Sequence, residues 1–301
     1  MVGVLVVDKP AGPTSHDVVM MVKKRLGAKK VGHIGILDPF ATGVLPLCIN
    51  DATRLARFLE DGEKEYLATI RLGEETDTYD REGRVTARGD VTSINKEDIV
   101  SAIVSFQGKI EQVPPMFSAI KVNGIPLYRL ARQGVVVERK SKEVEIYEIE
   151  INNVDIPFVS MRVVCSKGTY IRSLAFDIGI KLGCGAHLAA LRRTKNGPFS
   201  LEQSISIDRL PETRGDILKE KIISVERLLT NIPGIEVDDE MAERIRQGVW
   251  PKLSQFDPQK DFPSSIECNE MVRFVRNGRS VGIARYKGNN EFKLEKVFNK
   301  Q

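Results

Sequence analysis

The chain of 301 residues is 42% apolar and 29% charged with a net charge of +4, an ordinary soluble balance that permits an anionic partner without demanding one and leaves room for about two domains. No segment approaches the roughly 18 apolar residues of a membrane span, and the opening MVGVLVVDKP lacks the ordered regions of a signal peptide, so a cytoplasmic location is expected. Cys48, Cys165, Cys184 and Cys268 form no C-x-x-C, and His16, His33 and His187 are equally scattered, which argues against a zinc site or a disulfide framework.

In chain order, Val2 to Val7 predicts a short strand ending at Asp8-Lys9-Pro10. Thr14 or Ser15 can cap a helix whose Val18, Val19, Val22 and Leu26 recur at helical spacing, and Gly27 stops it. Its basic end, Lys23, Lys24, Arg25, Lys29 and Lys30, reads as a solvated helix end or as a phosphate-contacting patch. The stretch from Val31 to Asn50 follows, punctuated by Gly32, Gly35 and Gly43, with Asp38 directly before Pro39. Aspartate before proline is biased away from helical backbone. Asp38 therefore either makes the turn or presents a carboxylate from a loop held between two apolar strands.

Asp51 or Thr53 is expected to cap a helix carrying Leu55, Phe58 and Leu59, and Tyr66 to Leu72 alternates as a half-buried strand. Gly73 to Gly83, polar and acidic, reads as a connection, and Ile94 to Phe106 as an amphipathic helix. The paired prolines within Gln112 to Lys121 exclude helix, with a strand expected after them, and Pro126 to Arg132 resembles a short helix. Residues 143 to 165 predict an antiparallel hairpin broken near Asn152-Asn153 and Ile156-Pro157. A glycine turn from Ser166 to Arg172 leads into a helix from Ser173 to Leu182. Ala186 to Arg193 precedes a turn at Asn196-Gly197-Pro198, and short helices near Ile207 to Leu210 and Val225 to Leu229 complete the large domain.

Asn231 to Gly234 is the candidate boundary, dividing the chain into domains of residues 1–232 and 233–301. Beyond it a helix carries Met241, Ala242 and Ile245, and short strands at Met271 to Val275, Ser280 to Tyr286 and Phe292 to Phe298 describe a small β-rich module. Its Arg273, Arg276, Arg279, Arg285, Lys287, Lys293 and Lys296 form a phosphate-contacting surface or protect strand edges. Strands and helices do not alternate regularly, so the fold class is α+β, with a mixed, largely antiparallel sheet flanked by helices.

No nucleotide-binding loop, zinc-protease helix or nucleophile elbow occurs. The candidate reactive groups are isolated ones: Asp38, the tyrosines, Arg172 and the histidines. Taken alone, Tyr66 reads as a cross-strand core aromatic and His33 as a surface or structural histidine.

The segment Gly32 to Gly43, GHIGILDPFATG, resembles the active-site motif of the bacterial TruB family of tRNA pseudouridine synthases. Asp8 to Asp17, Lys64 to Gly73, Thr76 to Asp80, Gln112 to Lys121, Ser166 to Arg172, and Leu188 to Thr194 with Gly197 to Phe199 resemble further family blocks in family order. The likeness covers about residues 3 to 230 and implies the pseudouridine synthase fold. The tail from about residue 235 is similar, less specifically, to a PUA-type RNA-binding module. The resemblance implies a base-flipping isomerisation of uridine-55 in the T arm of tRNA, with no cofactor, no metal and no required protein partner. A monomer is expected, and a chain that reads as complete by itself, without extra basic tails, favours a stand-alone tRNA enzyme over an RNA-guided ribosomal one.

By the same resemblance Asp38 matches the catalytic aspartate, which attacks either the ribose C1′ or the base C6. Arg172 matches the arginine that pairs with it, and a neighbouring cation is expected to lower the carboxylate's pKa and hold its rotamer. Tyr66 matches the tyrosine that stacks on the flipped uracil and handles the C5 proton. Tyr170 and Leu191 match further residues of the uridine pocket, and His33 the histidine that fills space left by extruded bases. Two positions depart from the pattern. Ile34 replaces a small or hydroxyl residue, and Ile36 replaces a threonine, removing a hydroxyl from the loop. Ile36 is the feature that favours an alternative, a non-catalytic tRNA-binding or RNA-folding protein of the same family.

Overall fold

A computed structural model of the chain describes residues 1–60, 62–210, 213, 215–256 and 266–298. The first strand, β1 (Gly3–Lys9), leads to α1 (Ser15–Leu26). Thr14 caps that helix as expected: its side chain accepts from the Asp17 amide while Asp17 accepts from the Thr14 amide, and Gly27 ends it at φ 59°. β2 (Val31–His33) and β3 (Thr42–Ile49) then flank the Asp38 loop. The helix expected from Asp51 or Thr53 is a 3-10 turn (Asn50–Arg54) followed by the single α-turn α2 (Ala56–Leu59), neither with a side-chain cap. β4 (Lys64–Leu72) alternates buried residues with half-buried or exposed ones, as its sequence predicts.

The segment read as a connection is instead a hairpin arm. β5 (Glu74–Thr76) pairs with β6 (Val85–Arg88), and the turn between them is tied by Asp77, whose carboxylate accepts from the Arg84 amide at 2.9 Å and from its Nε at 3.1 Å. The acidic residues that made it look like a loop are the groups that close it. α3 (Lys96–Val104), capped by Asn95, precedes β7 (Gly108–Gln112), which lies before the paired prolines rather than after them. After the prolines only the two-residue strands β8 (Lys121–Val122) and β9 (Ile125–Pro126) form, and α4 (Leu127–Arg132) follows.

β10 (Lys142–Asp155) and β11 (Phe158–Cys165) form the long hairpin, and the break near Asn152 is a bulge that the strand runs through. α5 (Ile171–Leu182), ended by Gly183 at φ 73°, leads to β12 (Ala186–Asn196). The short β13 (Phe199–Ser200) and β14 (Ile205–Ser206), then α6 (Gly215–Glu220) and α7 (Val225–Leu228), complete this part; α6 carries no clear pattern in the sequence. β15 (Gly234–Glu236), α8 (Asp239–Arg246), β16 (Met271–Arg276), β17 (Arg279–Tyr286) and β18 (Phe292–Val297) make the C-terminal β-rich domain.

Ten strands form the main sheet, in the order β14-β1-β3-β12-β4-β11-β10-β7 with β13 on β12 and β2 on β3. Pairing is antiparallel except between β1 and β14 and between β3 and β12. Because side chains alternate along a strand, β1 sends Leu5 and Val7 into one core, with α1, α3 and α5, and Val4 and Val6 into another on the opposite face. That second core includes Val225, Leu229 and Ile283 of β17, so the C-terminal sheet packs on the back of the main one. Arg57 reinforces the contact by donating to the Glu295 carbonyl at 2.8 Å.

The basic strands of the C-terminal domain are less free than their sequence suggests. Arg273 donates to the Ile232 carbonyl, Arg276 makes two bonds to Asp239 and Arg285 caps the Asn269 carbonyl. Arg279, Lys287 and Lys293 remain exposed. No helix among the described residues is long and apolar enough to cross a membrane.

Two glycines separate a backbone requirement from a packing one. Gly27 needs a positive φ of 59° but faces open space, whereas at Gly43, φ 105°, a Cβ would lie 2.1 Å from the Arg193 carbonyl oxygen where β3 meets β12. Gly27→Ala is expected to cost about 1 kcal/mol, and Gly43→Ala about 3 kcal/mol or more through strain and overpacking. Chemical denaturation of the two variants checks the order, and equal losses would contradict the close β3–β12 approach.

Candidate active site

The loop from Ile34 to Pro39 is held almost residue by residue. Asn196 Nδ2 donates to the Ile34 carbonyl at 2.8 Å, and Arg193 donates to the carbonyls of Gly35 and Ile36 at 3.4 and 3.2 Å and, through Nε, to Val44 at 2.8 Å. Ser15 Oγ both accepts from the Leu37 amide and donates to its carbonyl. Lys9 Nζ donates to the Pro39 carbonyl at 2.9 Å and to that of Pro10 at 2.8 Å. Lys9, Arg193 and Asn196 are at most 1% exposed. Burial lowers the Lys9 pKa to about 8, against the upward pull of Asp38.

Asp38 is presented at the tip of this fixed loop, and Arg172, in the first turn of α5, forms an ion pair with it: Nη2 donates to Oδ1 at 3.2 Å, and Nε lies 3.0 Å from Oδ2. Arg172 Nη2 also donates to the Phe117 carbonyl, while Nη1 donates to the Thr78 carbonyl and to Asp80 Oδ2 at 3.3 Å. The two Nη groups thus make four hydrogen bonds, and Nε lies against the Asp38 carboxylate. Asp80 is itself fixed, its Oδ1 accepting from the Thr78 hydroxyl at 2.7 Å and the Glu82 amide at 3.0 Å. The start of α5 is set by Gln112, which accepts from the Tyr170 amide and donates to its carbonyl.

These groups line a cavity of about 460 Å³. The structure brings together Asp38, Tyr66, Arg172, Tyr170 and Leu191, five of the six residues singled out in the sequence. His33 is not on its wall. It lies in β2 with Nδ1 buried and without a hydrogen-bond partner among the described residues, and burial lowers its pKa. Asp80, Ser118, Tyr128 and Arg132 also line the cavity. Nothing in their spacing could reveal this, since Asp80 and Arg172 are 92 positions apart.

The electrostatics correct one expectation. Although 31% of the Asp38 side chain is exposed, its carboxyl is raised above the usual range: desolvation by the apolar walls dominates, Asp80 adds like-charge repulsion, and the pull of Arg172 and Lys9 does not offset them. Arg172 holds the rotamer and pulls the pKa down, but by less than burial and the like charge of Asp80 push it up. Burial likewise raises Tyr66, which is 6% exposed with its phenol against the Arg193 guanidinium, and Tyr170.

The two departures from the family pattern separate. Ile34 is 1% exposed and belongs to the apolar core behind the sheet, whereas Ile36 is 55% exposed at the cavity wall. The loop at Ile36 is tied through its carbonyl to Arg193, so its geometry does not depend on a side-chain hydroxyl there.

A family model described as TruB family pseudouridylate synthase (N terminal domain) matches residues 23–171. The chain belongs to this family. A second model, tRNA pseudouridylate synthase B C-terminal domain, matches residues 172–230. A tRNA pseudouridine synthase B from Clostridium tetani is 44% identical over 297 residues, covering 99% of each chain. Another from Clostridium acetobutylicum is 52% identical over 249 residues, 83% of this chain and 85% of the relative. Among solved structures, a Cbf5-Nop10-Gar1 complex contains a chain that is 28% identical with a TM-score of 0.73, covering 99% of this chain and 85% of that one. The TruB family member described here is thus an isomerase with the pseudouridine synthase fold. No group of three or more His, Cys, Asp or Glu among the described residues could hold a metal ion.

The charge arrangement has a direct spectroscopic consequence. In protein labelled with 13C at the aspartate carboxyls, Asp38 is expected to titrate above the ordinary 3.8, and to move downward in Asp80→Asn as the like charge is removed. An unshifted Asp38, or an upward move in the variant, would contradict the assigned causes.

Proposed function

We propose that the chain isomerises uridine-55 in the T arm of tRNA to pseudouridine, as a cytoplasmic monomer without a cofactor. In this reading residues 1–232 form the catalytic domain and 233–301 a PUA-like RNA-binding domain. The observation that carries it is the Arg172–Asp38 ion pair, two guanidinium nitrogens facing the two carboxylate oxygens, in a cavity also lined by Tyr66, Tyr170 and Leu191. A uridine in a folded arm must leave its stack before it can be turned, and the cavity gives it a place beside a carboxylate of fixed direction.

The net reaction breaks N1–C1′, joins C5 to C1′, and moves one proton from C5 to N1, so substrate and product are isomers. Asp38, ionised, is the nucleophile, at C1′ or at C6. Its raised pKa makes a more basic carboxylate, and Arg172 keeps it ionisable and oriented. The Tyr66 ring stacks on the uracil while it is turned, and its phenol, near Arg193, handles the C5 proton. Tyr170 and Leu191 wall the uridine. His33, outside the cavity, takes the space that extruded bases leave in the RNA. Exposed Lys24, Lys29, Lys30, Arg279, Lys287 and Lys293 supply phosphate contacts.

Asp38→Asn preserves size and removes the nucleophilic charge. It is expected to lower single-turnover pseudouridine formation by at least about a thousandfold, while filter-bound tRNA affinity stays within about threefold. Wild-type turnover by the variant would remove Asp38 from its role. Tight tRNA binding by a wild-type chain that forms no pseudouridine would favour the non-catalytic RNA-folding reading, to which exposed Ile36 points.

A further inference from the structure

Most polar groups of the cavity are occupied by the protein itself. Both Nη groups of Arg172 are hydrogen-bonded and its Nε lies against Asp38. The Thr78 hydroxyl donates to the Asp80 carboxylate and the Thr169 hydroxyl to the Ser166 carbonyl. The Tyr66 phenol lies against Arg193. Arg172, Thr78 and Thr169 are thus not free to recognise the edge of a base.

Ser118 is different. It is 5% exposed, lines the cavity, and its Oγ is buried without a hydrogen-bond partner among the described residues. The Tyr170 phenol is close enough to feel the Ser118 hydroxyl, yet the two oxygens do not meet hydrogen-bond geometry. The backbone around it is fixed: the Ser118 carbonyl accepts from the Tyr128 amide at 3.0 Å, and the preceding carbonyl, of Phe117, accepts from Arg172 at 2.8 Å. A hydroxyl taken from water and left unpaired costs free energy that a ligand can return, so its placement in the wall of a substrate cavity is informative.

We infer that Ser118 is a specificity-determining residue, whose hydroxyl donates to one exocyclic carbonyl oxygen of the uracil ring held against Tyr66. This rests on the cavity being the uridine site. The Phe117 carbonyl links the two functions, since the segment that aims Ser118 at the base also receives a hydrogen bond from the arginine that aims Asp38.

The test compares wild type and Ser118→Ala on three semisynthetic tRNAs carrying uridine, 2-thiouridine or 4-thiouridine at the target. Sulfur accepts hydrogen bonds weakly, so the substrate that replaces the contacted oxygen removes the interaction from the other side. On uridine, Ser118→Ala is expected to lower kcat/KM by about ten- to a hundredfold, with tRNA affinity and melting temperature retained. On one of the two thio-substrates the variant is expected to fall within about threefold of wild type. A loss of equal size on all three substrates, or no loss on uridine, overturns the inference. Failure of wild type to convert any of them instead overturns the reading of the cavity.

Discussion

The structure depends on one guanidinium. Arg172 lies in the first turn of α5 and binds Asp38, Asp80 and the carbonyls of Thr78 and Phe117. It thereby ties the Asp38 loop, the arm that follows β5 and the segment after β7 to a single point. Removing one partner of a buried charge network costs about 3–5 kcal/mol, because the remaining charge is left uncompensated. Two carboxylates share this cation, and burial above all, with the like charge of Asp80, raises Asp38 against the pull of Arg172, Lys9 and Arg193.

A second constraint comes from β12, which does three things along eleven residues. Leu191 forms part of the cavity wall, Arg193 and Asn196 hold the carbonyls of Gly35, Ile36 and Ile34, and the parallel approach to β3 excludes any side chain at Gly43. A loop whose carbonyls are held from an adjacent strand is rigid, and rigidity of this kind places a carboxylate within the small tolerance that chemistry needs. The backbone at Ile36 is fixed in this way, through its carbonyl rather than its side chain.

Local signals in the chain carried far. The Thr14–Asp17 cap, the Gly27 and Gly183 stops, the alternation of β4 and the β10–β11 hairpin all depend on neighbours in sequence, and all are as expected. Asp77 and Glu74 misled because acidic residues read as solvated until Arg84 and Arg88 are seen across a hairpin. The basic β16 and β17 misled in the opposite sense, since Asp239 and the Asn269 carbonyl lie 37 and 16 positions from Arg276 and Arg285, which they bind. Asp38, Tyr66 and Arg172 were legible only through the resemblance of their surrounding segments to family motifs. The Asp80 and Ser118 contributions required three dimensions.

In the proposed reaction the planar guanidinium of Arg172, set against both oxygens of Asp38, and not its charge alone, directs the carboxylate. Lysine retains the charge and loses the fork. The direct measurement is tritium release from tRNA labelled at uridine C5 by Arg172→Lys beside wild type, with tRNA affinity measured in parallel. The rate is expected to fall at least about a hundredfold while affinity is kept. Release at the wild-type rate would contradict it.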